Sequence, residues 1–170
     1  ESALSDLVAR ALDDMTDSLD AAGLSAAQTA AILEAAVDSI GATAQSDALE
    51  DVLPALVAEA ERSLGTDELD ALTQEERQSA VEAIVAGAVG TIASVSASSR
   101  TIALDSRIDI LRLISQEAVA HLDDAGISDI PGSARRAARS AVRALRTAAI
   151  TKEEMEGSLE GITVGAMAGV

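Results

Sequence analysis

The chain has no phenylalanine, tyrosine or tryptophan among its 170 residues, but it contains 37 alanines. Its other aliphatic residues are 18 Leu, 12 Val, 12 Ile and 3 Met, which are enough for a hydrophobic core. Because an alanine buries little area, the packed layers must be thin and the elements must approach closely. The missing aromatic residues exclude stacking platforms for single-stranded nucleic acid and aromatic cages for quaternary ammonium ligands.

The charge balance argues against nucleic acid as a partner. The chain carries 29 acidic and 12 basic residues, a formal net charge of −17. Non-specific phosphate binding needs an excess of Lys and Arg, so we predict no nucleic-acid partner. The longest apolar run, Ala83 to Val95, is 13 residues long. A membrane-spanning helix needs roughly 20 residues, so we predict no transmembrane segment.

Two internal similarities indicate a repeated helical unit. Residues 73–92 (TQEERQSAVEAIVAGAVGTI) align without a gap with residues 151–170 (TKEEMEGSLEGITVGAMAGV), and LDAAGLS at 19–25 resembles LDDAGIS at 122–128. Self-similarity of this kind is the signature of repeat architectures. The unit reads as a helix, a glycine-containing turn, an N-cap and a second helix, which is an αα-hairpin.

Capping boxes support the helix starts within this unit. In such a box a Ser or Thr hydroxyl accepts from the third backbone N–H, and a Glu or Gln at that position reaches back to the cap. The pattern S/T-x-x-E/Q opens an apolar helical pattern three times, as Ser25 with Gln28, Thr73 with Glu76, and Thr151 with Glu154.

We therefore predict an all-α fold of about seven helices in αα-hairpin repeats, forming a bundle or a short helical repeat array. The predicted helices are 4–21, 26–43, 47–64, 74–94, 106–124, 133–147 and 152–169. The predicted organisation is an acidic pair of αα-hairpins at 1–94, a linker at 95–105 and a second helical unit at 106–170. One compact domain is the alternative.

Basic residues are concentrated in one predicted helix. Residues 1–93 contain 19 acids and 3 bases, whereas 135–146 read RRAARSAVRALR with five arginines and no acid. Four of these arginines share one helix face, namely Arg135, Arg139, Arg143 and Arg146. We interpret them as a subunit interface that meets the acidic half of another copy head to tail. The alternatives are pairing with the acidic helices of the same chain, or a solvated face.

The last predicted helix contains a stripe of glycines, and the sequence ends with apolar residues. Gly161, Gly165 and Gly169 recur every four residues, and the sequence closes on GAMAGV with Val170. Small residues at this spacing let two helices approach closely. The hypothesis is that this stripe and Val170 contact a neighbouring subunit, and the alternative is close packing within the chain.

Neither the acidic clusters nor the lone histidine predicts a chemical site. Two groups of aspartates are present (Asp13, Asp14, Asp17 and Asp20; Asp123, Asp124 and Asp129), but no D-x-D-x-D-G calcium loop accompanies them. His121 has Glu117 one turn before it, yet no serine motif and no second histidine complete a triad or a metal site. We interpret His121 as a residue near a helix C-terminus. No catalytic, cofactor or metal site is predicted.

The T-x-E-E … A-V-E-A-I … G-A-V-G-T-I unit resembles helical repeats of bacterial secreted or surface proteins. We expect a non-enzymatic structural protein that assembles with copies of itself into an extracellular or cell-surface filament or layer of a bacterium or archaeon. The alternative is a helical interaction or adhesion module of a larger secreted surface protein.

Overall fold

The computed structural model describes residues 28, 31–32, 35–36, 39, 48–66, 69–70, 72–97, 102–146 and 151–170. This part of the chain contains five helices with defined ends and no β-strand. The helices are α1 (Leu49–Leu64), α2 (Gln74–Ala97), α3 (Leu104–Ala120), α4 (Ile130–Arg146) and α5 (Lys152–Ala168).

The all-α prediction is confirmed for the described residues, whereas the count of seven helices is not reached. The six isolated positions between 28 and 39 are helical and fall within the predicted helix 26–43. The predicted helix 4–21 lies outside the described residues. Residues 95–97 and 104–105 of the predicted linker belong to α2 and α3.

Helix α4 begins at Ile130, three residues before the predicted start, because Asp129 caps it. The backbone N–H of Gly132 donates to the Asp129 carboxylate at 3.1 Å. Pro131 then occupies the first turn, where its missing N–H costs no intrahelical hydrogen bond. Asp129 is thus a helix cap in this fold.

Helix α3 ends at Ala120, before the predicted end at 124, because the chain turns at Gly126. Gly126 has φ +72°, a conformation that favours glycine. The Gln74 side chain of α2 bridges this turn, donating to the Gly126 carbonyl at 2.5 Å and accepting from the Ser128 N–H at 3.0 Å. The glycine of the repeated LDDAGIS motif therefore forms the turn between α3 and α4.

Helices α1, α3 and α5 lie side by side and parallel. Gly65, at the end of α1, contacts the backbone of Asp124, just after α3. Along α5, Gly161, Gly165 and Gly169 contact Ile108, Arg112 and Gln116 of α3 in the same order.

Helices α2 and α4 form a second parallel pair. Gln78 donates to the Ser133 hydroxyl at 2.8 Å, and Ser140 donates to the Glu82 carbonyl at 2.8 Å. The described helices therefore form two layers, and the chain crosses from one layer to the other at each turn.

All five helices contribute to one aliphatic core. Each fully buried Leu or Ile contributes roughly 1.5–3 kcal/mol of transfer free energy. The largest fully buried side chains are Leu49, Leu53, Leu56, Leu64, Ile84, Ile92, Ile110, Leu111, Ile114 and Leu122. Alanines fill the remaining contacts, including Ala60, Ala80, Ala88 and Ala141.

Candidate interaction surface

Helix α4 is amphipathic, and its polar side carries the predicted arginine stripe. Ala137, Ala141 and Leu145 are buried, whereas Arg135, Arg139, Arg143 and Arg146 are exposed. The spacing of four and three residues places the arginines on one side of the helix. Arg143 and Arg146 lie in the last turn, where positive charge suits the helix dipole.

Three of the four arginines line a groove between α4 and α5, which we call the Arg groove. Its volume is about 380 Å³, and its lining consists of Ala138, Arg139, Val142, Arg143, Arg146, Ile162 and Thr163. Ile162 is buried and Val142 half-buried, so the floor is apolar and the rim is cationic. Arg135 is not part of this lining, and its Nε donates to the Pro131 carbonyl at 2.9 Å.

The guanidinium groups of Arg139, Arg143 and Arg146 make no ion pair or hydrogen bond within the described residues. The described carboxylates therefore do not neutralise them, although the whole chain carries a net charge of −17. The alternative of pairing with acids of the same chain finds no support among the described contacts.

An exposed apolar strip lies along the last two turns of α5 and at Val170 just after them. Val164, Met167 and Val170 are 48%, 75% and 86% exposed, and they are the large apolar residues that the described part of the chain leaves in water. Large exposed apolar side chains grouped in one place mark surfaces of interaction. We call the Arg groove and this strip together the α4–α5 edge.

The glycine stripe, in contrast, packs within the chain. A Cβ atom at Gly161 would lie 2.7 Å from the Ile108 carbonyl oxygen, and Cβ atoms at Gly165 and Gly169 would collide with the carbonyls of Arg112 and Gln116. The intramolecular alternative thus accounts for the stripe, because its backbone surface is covered by α3.

The structure contains two of the predicted capping boxes. Thr151 accepts from the Glu154 N–H at 3.2 Å, and Glu154 accepts from the Thr151 N–H at 2.7 Å. Thr73 and Glu76 make the same pair of hydrogen bonds at the start of α2, at 3.3 and 2.8 Å. The box at Ser25 lies outside the described residues, while Gln28 is helical and exposed.

These boxes lower the pKa of their carboxyl groups. The Thr73 backbone N–H and then its hydroxyl hold the pKa of Glu76 below its ordinary value. The Thr151 backbone N–H, the Thr151 hydroxyl and then Arg107 do the same for the pKa of Glu154.

Two buried arginines connect the helices, and the sequence pattern alone did not indicate them. Arg107 of α3 donates to Glu154 at 3.0 Å, which joins α3 to the start of α5, while its Nε is buried without a partner. Arg77 of α2 donates to the carbonyls of Leu64, Leu69, Leu72 and Ala125. It therefore joins the end of α1 to the turn after α3.

His121 ends α3 within a polar cluster. Its Nδ1 lies 2.6 Å from Asp124, and its Nε2 lies 3.2 Å from both Glu117 and Arg62. The location of His121 at the end of α3 fits the predicted position near a helix C-terminus.

Glu61 is fully buried beside this cluster, and neither carboxylate oxygen has a hydrogen-bond partner. Its burial, and then the charges of Glu117 and Asp124, raise the pKa of Glu61 well above its ordinary value. The sequence held a signal for it, since Glu61 follows Leu53 and Val57 at four-residue spacing in an otherwise apolar stripe.

Comparison with known proteins identifies no relative: no family model, curated protein or solved structure matches the chain. Among the described residues, no group of three or more Asp, Glu or His side chains is arranged to hold a metal ion. None of the helices in the described ranges has the length and apolar character required to cross a bilayer.

Proposed function

We propose that this chain is a non-enzymatic structural protein whose copies associate through the α4–α5 edge. The observation that carries the proposal is the exposure of Val164, Met167 and Val170 on the helix that also lines a groove with an apolar floor. Burying these side chains against a second copy would remove apolar area from water, which stabilises the complex by about 25 cal/mol per Å² buried.

The two-layer packing supports the repeat array as the form of this subunit. Helix α4 lies beside α2 and against α3, and a helix placed in the Arg groove would lie beside α4 and against α5 in the same way. The proposed setting is an extracellular or cell-surface filament or layer, as the resemblance to bacterial surface repeats implies.

The same open edge supports the second candidate function, a helical module of a larger secreted surface protein. In that case a further helix of a longer chain, rather than a second copy, would occupy the groove. The two functions differ in the behaviour of the 170-residue chain by itself, because only the first predicts an oligomer.

Size-exclusion chromatography with light scattering tests the proposal. We expect the wild-type mass to exceed the 17.2 kDa of one chain and to rise with concentration. Met167→Glu should reduce association at least tenfold, because it places a charge in the apolar strip. Ser79→Glu, on the exposed side of α2, is the matched control and should associate like the wild type. A wild-type chain that stays monomeric at high concentration overturns the proposal.

A further inference from the structure

The arginines of the Arg groove are complementary in charge to exposed acids of α5 in a second copy of the chain. Helix α5 carries three exposed acids, Glu153, Glu156 and Glu160. From Glu160 back to Glu153, these acids are spaced by four and then three residues. The groove arginines of α4 have the same spacing from Arg139 forward to Arg146.

The opposite directions of α4 and α5 place these two sets at matching heights. Helix α4 ends at Arg146 and α5 begins at Lys152, so we infer from the antiparallel directions that Arg146 lies near the height of Glu153. At the other end, Arg139 shares the groove with Ile162 and Thr163, one turn or less from Glu160. Each arginine therefore has an acid of α5 at its own height.

The two sets do not pair within one chain. No described residue forms an ion pair with the three arginines, and among the three acids only Glu156 forms one, with Lys152 at 3.5 Å. At 100° per residue, Glu153 and Glu160 lie about 180° and about 160° around α5 from Ile162, which faces the other layer. The arginines of α4 lie on the side of their layer that faces away from α1, α3 and α5. Glu153 and Glu160 lie on the side of α5 that faces away from α2 and α4.

We propose that two copies join their α4–α5 edges about a two-fold axis parallel to the helices, forming a four-helix bundle. The rotation places α5 of one copy against α4 of the other. The side of α4 that carries the arginines and the side of the second copy's α5 that carries the acids then face the same way. Arg139, Arg143 and Arg146 then pair with Glu160, Glu156 and Glu153 of the second copy, and each pair occurs twice.

This inference rests on the proposed function and specifies its geometry. The floor of the Arg groove would form the apolar centre, and the six ion pairs would form the rim. Val164 and Met167 follow Glu160 by four and seven residues, so they lie on the rim side of α5. An interface with two-fold symmetry is complete when two copies have joined. It therefore differs from the head-to-tail contact that the uneven distribution of acids and bases led us to expect. Growth into a filament would then use another surface.

A charge swap provides the test. The triple variant Arg139→Glu, Arg143→Glu, Arg146→Glu has an all-acidic edge, and Glu153→Arg, Glu156→Arg, Glu160→Arg has an all-basic edge. Each variant alone should be monomeric because like charges meet across the two-fold axis. Mixed in equal amounts, they should form a 1:1 dimer of twice 17.2 kDa by light scattering.

Circular dichroism and thermal melting of each variant establish that both remain folded and helical. Arg135→Glu makes one Arg-to-Glu change in the same helix outside the groove, so it should associate as the wild type does. If the wild type associates but the mixed variants do not, the two-fold pairing is overturned and the proposed function survives. If Arg135→Glu abolishes association as completely as the triple variant, the specific pairing is likewise overturned.

Discussion

At the residue scale, Glu61 destabilises the folded state, although the apolar side chains of the core around it stabilise that state. Its raised folded pKa means that the native state holds a proton that the unfolded chain releases above the ordinary pKa of a glutamate. The contribution of Glu61 to stability therefore falls as pH rises through that window. The burial of the group, with no partner for either oxygen, is the physical cause.

We predict that Glu61→Met raises the free energy of unfolding at pH 7 by about 1–3 kcal/mol, because it removes a buried polar group without partners. The gain should shrink as pH falls towards the ordinary glutamate range. Urea unfolding at several pH values measures it. Glu50→Gln, an exposed acid in the first turn of the same helix, should change stability by less than about 0.5 kcal/mol. A Glu61→Met gain that is independent of pH would contradict this explanation.

The contribution of Glu154 to stability depends on pH with the opposite sign. Its pKa is lowered by the Thr151 hydrogen bonds and by Arg107, so its stabilising contribution is complete above the ordinary glutamate pKa and is lost as pH falls through the lowered value. We expect Glu154→Gln to destabilise the protein at pH 7, because buried Arg107 loses its charged partner. The difference from the wild type should vanish at low pH.

Urea titrations at neutral and acidic pH measure this effect of Glu154. The matched control is Glu75→Gln, an exposed acid in the first turn of α2, outside the proposed interface. Equal losses for the two variants at pH 7 would show that the helix dipole alone, and not the Arg107 ion pair, accounts for the effect.

At the element scale, the contact between α3 and α5 depends on glycine. We predict that Gly165→Ala costs about 1–3 kcal/mol, since its Cβ would collide with the Arg112 carbonyl, a backbone atom that cannot easily move. This cost exceeds the roughly 1 kcal/mol that alanine gains over glycine in a helix.

Gly90 of α2 is the matched control for the glycine prediction. No heavy atom lies within 4 Å of the Cβ that an alanine would add there, so Gly90→Ala should stabilise the protein by up to about 1 kcal/mol. Thermal melting of the two variants measures both signs. Stabilisation by Gly165→Ala would show that α5 does not pack this closely on α3.

The helix starts show where local sequence is sufficient and where it is not. Thr73 and Thr151 predict the starts of α2 and α5 to the residue, because a capping box is complete within four positions. The predicted start of α4 at 133 is three residues too late, because Pro131 and Gly132 belong to its first turn. The cap that places them there is Asp129.

At the scale of the whole molecule, the distribution of charge predicts how association responds to salt. Ion pairs at an exposed rim are screened, since the Debye length falls from about 10 Å at 0.1 M to about 3 Å at 1 M ionic strength. We expect the dissociation constant of the wild-type oligomer to rise at least several-fold between these concentrations. Analytical ultracentrifugation measures it, and unchanged or stronger association at high salt would indicate a purely apolar contact.

The sequence by itself determined that the chain is helical, where two capping boxes lie and that arginines form a stripe on one helix. These are local properties, decided by spacings of three and four residues along a single element. It also determined that the helices must pack closely, because a chain without aromatic residues fills its core with Ala, Gly and aliphatic side chains.

Only the tertiary structure decided which helix each side chain meets. The glycine stripe contacts α3 of the same chain, Glu61 is enclosed without a partner, and Arg77 joins segments distant in sequence. The arginines of α4 and the acids of α5 were both visible in the sequence. Their matching heights follow from two helices running in opposite directions side by side, which is a property of packing that no local pattern encodes.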